Sequence, residues 1–93
     1  MKKIDGNYIN FILDQFEETF KSDYYDVFVG YKECKDGDCK YYSAKPEDWE
    51  QVIDTLLEKG IKLEEYELCN KIKNIKPKVL KEAEIRLEHK KEN

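Results

Sequence analysis

The sequence predicts an α+β domain: an N-terminal helix, a β-hairpin, then two to three helices packed on the small antiparallel sheet. Three observations carry that expectation. Tyr8, Ile12, Phe16 and Phe20 recur every four residues, Tyr25 to Tyr31 alternate with period two up to an Asp36-Gly37 pair, and helical spacing returns after Pro46. The 93 residues suit a single domain spanning 1–93, its last few residues, Lys90 to Asn93, expected to fray. Leu, Ile, Val and Phe make up about a quarter of the chain, above the roughly 20% below which chains tend to stay disordered.

The first helix is expected over about residues 7–21, with Ile9 and Leu13 widening its apolar stripe and Asp14, Glu17 and Glu18 facing outward. A short side-chain oxygen from Asp5 or Asn7 can cap it by accepting a first-turn amide. In the extended segment that follows, Tyr25, Val27, Val29 and Tyr31 fall on one side and Asp26, Phe28 and Lys32 on the other. Asp36-Gly37 favours a two-residue type I′ turn. That turn sets Lys35 opposite Asp38, Cys34 opposite Cys39, Glu33 opposite Lys40, Lys32 opposite Tyr41 and Tyr31 opposite Tyr42. Val27, Val29, Tyr31, Tyr42 and Ala44 would then face the core.

Pro46 suits the first position of the second helix, with Glu47 and Asp48 near its positive end. Trp49, Val52, Ile53, Leu56 and Leu57 form the apolar stripe, and Gly60 is expected to end the helix in a left-handed conformation with Ile61 packed back on it. Residues 61–68 read as the start of a third helix, with a third strand as the alternative. Glu64 and Glu65 would sit in the first turn of that helix and Lys71 and Lys73 in its last. Pro77 is expected to break the chain and open a final helix whose stripe is Val79, Leu80, Ala83 and Leu87, with Ile85 pointing away.

Charged side chains form 41% of the chain, against roughly 25% in an average domain, and nearly cancel to a net charge of -4. They are unevenly placed. Residues 1–70 carry 9 basic and 17 acidic groups, whereas residues 71–93 carry 8 basic and 4 acidic. Lys2 and Lys3 run into Ile4, Asp5, Gly6 and Asn7 without the apolar core of a signal peptide, and no apolar run approaches the roughly 20 residues of a membrane span. An odd set of three cysteines, Cys34, Cys39 and Cys69, fits reduced thiols better than a disulfide scaffold. A cytoplasmic protein is the expectation, with no membrane association.

No motif carries a specific chemistry. Cys34 and Cys39 face each other across the hairpin, and adding Cys69 and His89 would complete a Cys₃His set, but the spacing is loose for zinc and no metal or cofactor is expected. His89, the only histidine, lies in a lysine-rich turn with no carboxylate placed to orient it. The four glycines are isolated and form no phosphate loop. An enzyme is not expected.

Surface character is more informative. Glu47, Glu50, Asp54 and Glu58 recur at three- and four-residue intervals on the outer face of the second helix, although like charges so spaced destabilise a helix by roughly 0.2–0.5 kcal/mol per pair. Charge rows on helices are more often solvated faces than sites. Together with Asp14, Glu17 and Glu18 this row forms a candidate acidic contact surface, and Phe28 with Tyr41 on the outward side of the hairpin forms a second, unless the final helix covers it. The functional expectation is a non-catalytic protein-binding module, an inhibitor or adaptor of the kind small phage or mobile-element genes encode. It would dock this acidic and aromatic surface on a basic site of a nucleic-acid-handling partner. Two alternatives stand beside it. The basic C-terminal helix could bind nucleic acid directly, although Glu82, Glu84 and Glu88 interleave with its cations and Glu82 can pair with Arg86. Ile85 and Leu87 could instead hold a homo-oligomer together.

Overall fold

Helix α1 runs Gly6–Ser22 in a computed structural model that describes residues 5–92, without the side chains of residues 31–34, 39–41 and 90–92. Of the two expected caps Asp5 is the one used: its Oδ1 accepts the Tyr8 N–H at 2.9 Å. The four-residue repeat buries Ile9, Ile12, Leu13, Phe16 and Thr19 on one face and leaves Asp14, Glu17 and Glu18 exposed. The helix closes at Asp23, which adopts a left-handed φ of 57° and donates its N–H to the Thr19 carbonyl. Asp is among the few residue types that tolerate this conformation, because its short polar side chain can bond locally.

The hairpin follows as β1, Val27–Lys35, and β2, Asp38–Ala44, paired antiparallel. Asp36 and Gly37 both take positive φ, 54° and 85°, as a type I′ turn requires. The expected register holds for Lys35 with Asp38, Cys34 with Cys39 and Glu33 with Lys40. Beyond that it shifts twice. Tyr31 pairs with Tyr41 and Gly30 with Tyr42, so the expected Lys32–Tyr41 and Tyr31–Tyr42 pairs are replaced, and Lys32 and Val29 become extra residues on β1. Bulges of this kind bend the strand and increase its twist. Gly30, at φ 141°, takes a conformation few other residues could adopt, and the carbonyl of bulged Val29 accepts the Tyr8 hydroxyl at 2.7 Å. The core face narrows as a result: Val27 and Ala44 are buried and Val29 is half-buried, but Tyr42 is 48% exposed rather than in the core. The expected core position at Tyr31 and the sulfur contact of Cys34 with Cys39 lie outside the described side chains; of the residues expected to fray, Lys90 to Glu92 are helical and Asn93 lies outside the described residues.

Pro46–Asp48 forms one 3₁₀ turn that leads directly into α2, Trp49–Lys62. Trp49, Ile53 and Leu56 are buried, with Val52 and Leu57 half-buried beside them, as the stripe predicts. Trp49 is the centre of the core. Its ring meets Phe16 edge-on at 5.5 Å and Phe20 at 5.8 Å, and its Nε1–H donates to the Ala44 carbonyl at 2.8 Å, so a fully buried indole has no unpaired donor.

The end of α2 corrects the expectation for Gly60. The helix continues through Gly60 to Lys62, and the left-handed residue is Glu64, at φ 59°. The Glu65 N–H reaches back to the Gly60 carbonyl at 2.9 Å and the Glu64 N–H to the Ile61 carbonyl at 3.0 Å, the bond pair of a Schellman closure. Gly60 serves a different need: a Cβ there would lie 3.0 Å from the buried Cys69 sulfur, so its missing side chain sets how closely α2 and the following helix approach. Ile61 does not pack back but is 52% exposed.

A single helix, α3, Tyr66–Glu92, replaces the two expected, and Pro77 lies inside it. Glu64 and Glu65 therefore precede this helix instead of forming its first turn. An interior proline removes one helical hydrogen bond and costs about 3 kcal/mol. Burial on both sides holds the helix together across it: Leu68, Cys69 and Ile72 before Pro77, and Val79 and Ala83 after it, are all at most 7% exposed. At about 1.5 Å per residue α3 is roughly 40 Å long, which matches the 41 Å longest extent of the molecule.

Arg86 is 8% exposed and ties the C-terminal part of α3 to the end of α1. Its Nε donates to the Tyr24 carbonyl at 2.8 Å and one terminal nitrogen to the Thr19 carbonyl at 3.3 Å. The other bonds the expected Glu82 carboxylate at 2.6 Å, and the guanidinium lies 5.3 Å from the Trp49 ring and 5.8 Å from Phe20. Tyr24 is thereby held in the connecting turn, and β1 begins at Val27 and not at Tyr25.

Two substitutions test this packing. Arg86→Met removes the charge but keeps the apolar stem, and is expected to lower unfolding free energy by about 3 kcal/mol in urea denaturation, since it leaves Glu82 without its partner. Gly60→Ala should fail to deliver the roughly 1 kcal/mol that alanine normally gains over glycine in a helix, whereas the same change in a Cys69→Ala background should deliver it. Equal effects in both backgrounds would show that the sulfur does not limit the approach.

Candidate binding site

The outer face of α2 carries Glu50, Asp54 and Glu58, all exposed, while Glu47, expected on the same helix, lies exposed in the Pro46–Asp48 turn before it, and α3 divides the row. Asp54 accepts a hydrogen bond from the Lys76 ammonium at 2.8 Å, and Glu58 faces Lys62 one turn on at 3.7 Å. Glu47 and Glu50 lie instead on a groove of about 390 Å³ between the start of α2 and the C-terminal half of α3. Pro46, Leu80, Ala83 and Leu87 supply its apolar lining, and Glu84 and Glu88 from α3 stand with Glu47 and Glu50 around it. Among the described residues no cation lines this groove. The half of α3 that faces it reads as Leu80, Ala83, Glu84, Leu87 and Glu88, the spacing of one helix face.

The α1 acids are placed elsewhere. Asp14 and Glu17 line a separate groove with Lys71 and Lys78 of α3, where opposite charges alternate around Leu13 and Ile75. Glu18 is exposed and lines none of these grooves. Phe28 is half-buried and meets Phe11 of α1 edge-on at 5.8 Å, so α1 packs against it. Tyr41 lies outside the described side chains. The seven acids singled out in the sequence thus fall into distinct environments, and only Glu47 and Glu50 sit where acids from a second helix join them.

A third depression, about 290 Å³, is lined by Ile12, Val29, Val52 and Leu56 with Tyr8, Asp48, Gln51 and Thr55. Burial raises the pKa of the Tyr8 phenol above its usual 10.0, so it stays protonated and donates to Val29.

The basic surface is smaller than the sequence suggests. Arg86 is buried, Lys76 bridges to Asp54, and Lys78 lies 5.5 Å over the Phe20 ring. Cys69 and His89 cannot share an ion, because twenty residues of one helix put them about 30 Å apart. Among the described residues no three His, Cys, Asp or Glu side chains converge as metal ligands, and no helix is long and apolar enough to cross a membrane. Ile85 is 40% exposed on the side of α3 away from the core stripe. Comparison of the chain with protein-family models, curated proteins and solved structures finds no match.

Glu84 and Glu88 are absent from the sequence-derived candidates. Their signal was present, since both flank the Leu80–Leu87 stripe at four-residue spacing. The net positive charge of the tail concealed it.

The Lys76 ammonium offers a test of the divided row. The hydrogen bond to Asp54 raises its pKa above the usual 10.5; slight desolvation opposes, and the charges of Asp54 and Glu50 add to the rise. A raised lysine pKa means the bridge stabilises the fold at neutral pH and is lost as pH climbs through the folded-state value. An NMR titration of Lys76 should show this elevation and its reduction in Asp54→Asn; an unchanged titration would show that the bridge does not form.

Proposed function

We propose that this chain is a non-catalytic protein-binding module, an inhibitor or adaptor that docks an acidic surface on a basic site of a nucleic-acid-handling protein. The observation that carries this reading is the groove lined by Glu47, Glu50, Glu84 and Glu88 with no cation among its lining residues. Carboxylates gathered from the Pro46–Asp48 turn, α2 and α3, with no lysine or arginine among the described lining residues, repel one another. A cationic partner relieves that repulsion, and the field steers its approach. Single-sign charge kept around one groove, while Lys76 pairs with Asp54 and lysines line the groove of Asp14, supports a selective contact more than general solubility.

Direct nucleic-acid binding is the weaker reading. The groove would repel phosphates, and Arg86 and Lys76 of the basic helix are already engaged within the fold. A module of this kind would act by occupying a surface that otherwise holds a phosphate backbone.

The test compares the chain with its Glu47→Lys/Glu50→Lys variant as bait against a native-host extract, with a labelled oligonucleotide as a second probe. The wild type is expected to retain a basic nucleic-acid-handling protein at low salt and release it as salt rises, and the variant to lose it, with no oligonucleotide retained by either. Oligonucleotide retention by the wild type that falls steeply with salt would overturn the reading.

A further inference from the structure

Resting on that reading, we infer that the groove between the start of α2 and the end of α3 is the point of contact, and that it takes a short basic segment of a partner protein built around one large apolar side chain. A purely electrostatic surface would need no apolar floor. Here Pro46 and Ala83 are buried and Leu80 and Leu87 half-buried, so the groove is floored by hydrocarbon that water covers only partly. At about 390 Å³ it stands at the small end of the range for binding pockets, the right scale for a single anchoring side chain with its neighbours.

The four carboxylates define what surrounds that anchor. Glu47 stands in the Pro46–Asp48 turn and Glu50 in the first turn of α2, and Glu84 and Glu88 are four apart on one face of α3, so each wall offers two anions. Arginine and lysine placed before and after an apolar residue would meet one wall each. Arginine is favoured, because its planar fork can bond a carboxylate through two donors at once. The walls differ in their freedom. The α3 wall lies within a turn of Arg86, which is anchored to α1, and the α2 wall follows directly on the Pro46–Asp48 turn beside buried Trp49, so both are presented on supported backbone before any partner arrives. A nucleic acid does not fit this description, since its phosphates share the sign of the walls. The groove between α1 and α3 does not fit it either, since Lys71 and Lys78 already lie among its acids.

The probes are three fluorescein-labelled peptides: Arg-Lys-Phe-Lys-Arg, the same sequence with glycine in place of phenylalanine, and Asp-Glu-Phe-Glu-Asp. Binding is read by fluorescence anisotropy and located by amide chemical shifts of the labelled chain. The phenylalanine peptide should bind about tenfold more tightly than the glycine peptide, and the acidic peptide not at all. Its shifts should centre on residues 46–50 and 80–88. Glu84→Lys/Glu88→Lys, which changes only exposed positions, should weaken it by at least about tenfold while leaving the remaining shifts of the fold in place. Equal affinity for the phenylalanine and glycine peptides, or salt-dependent shifts centred on residues 14–18 or 54–58, would overturn the groove assignment and leave the acidic-surface reading standing. Absence of binding by either basic peptide at low salt would remove both.

Discussion

Arg86 places a permanent positive charge inside a domain of 93 residues, and the arrangement of the other elements follows from the need to satisfy it. Removing a charge from water costs several kcal/mol even after the surroundings relax, so a buried guanidinium persists only where its donors are used. All three of its nitrogens are engaged here, by the carbonyls of Tyr24, Thr19 and Glu82 and by the Glu82 carboxylate. Two of these acceptors belong to the C-terminal end and exit of α1, where the helix dipole favours a cation. Arg86 therefore closes α1 from a distance of more than sixty residues in sequence, while its flat face lies near the Trp49 and Phe20 rings. For it to arrive there, α3 must stay one helix past Pro77 while Ile72, before the proline, remains fully buried.

That dependence explains which parts of the fold were legible in the sequence. Local periodicity and local turn chemistry read correctly: the stripe of α1, the Asp36-Gly37 turn with its three nearest pairs, and Trp49, Ile53 and Leu56 on α2. The misreadings share one cause, which is that a contact distant in sequence overrode a local preference. Gly60 looks like a helix terminator because glycine most often is one, yet its role is steric and set by Cys69 on another helix. Glu64 accepts the left-handed position that glycine would fill at lower cost. Pro77 looks like a break because the penalty is local, while the burial that offsets it is spread over both flanks of α3. The bulge at Val29 answers to α1, whose Tyr8 hydroxyl donates to the carbonyl of that extra residue. No pattern within residues 25–44 records that hydroxyl.

The candidate site was legible only in part, for a related reason. Charge in a sequence is counted, whereas charge on a surface depends on who stands opposite. The tail of α3 carries twice as many cations as anions, but Arg86 is withdrawn into the core and Lys76 is spent on Asp54, so the part of the helix facing α2 is acidic. Conversely, the acidic row on α2 is uniform in sequence and is split in space between a bridged half and an unbridged half. Glu47 and Glu50 are legible because they continue the three- and four-residue spacing of the row in sequence. Glu84 and Glu88 could be added only once the pairing of the two helices was known.

The division of that row bears on why the groove acids are arranged as they are. Mutual repulsion between neighbouring carboxylates is a standing cost to a small domain, whose stability is a narrow difference between large terms. The fold lowers the cost wherever a lysine can reach: at Asp54, at Glu58, and around Asp14 and Glu17. Around the Leu80–Leu87 floor it does not, although Lys81 sits one residue from that stripe and an exchange of Glu84 and Lys81 would need no change in backbone. Exposed positions with good helix formers on either side exert no packing demand that would require glutamate there. Under the proposed reading, repulsion left in place there, beside hydrocarbon that water covers incompletely, is free energy that an association supplying both cations and apolar cover would release. The same physics sets a limit on that association: a ligand that brings only charge recovers the electrostatic part and leaves the floor wet, and one that brings only an apolar group must desolvate the carboxylates without compensating them.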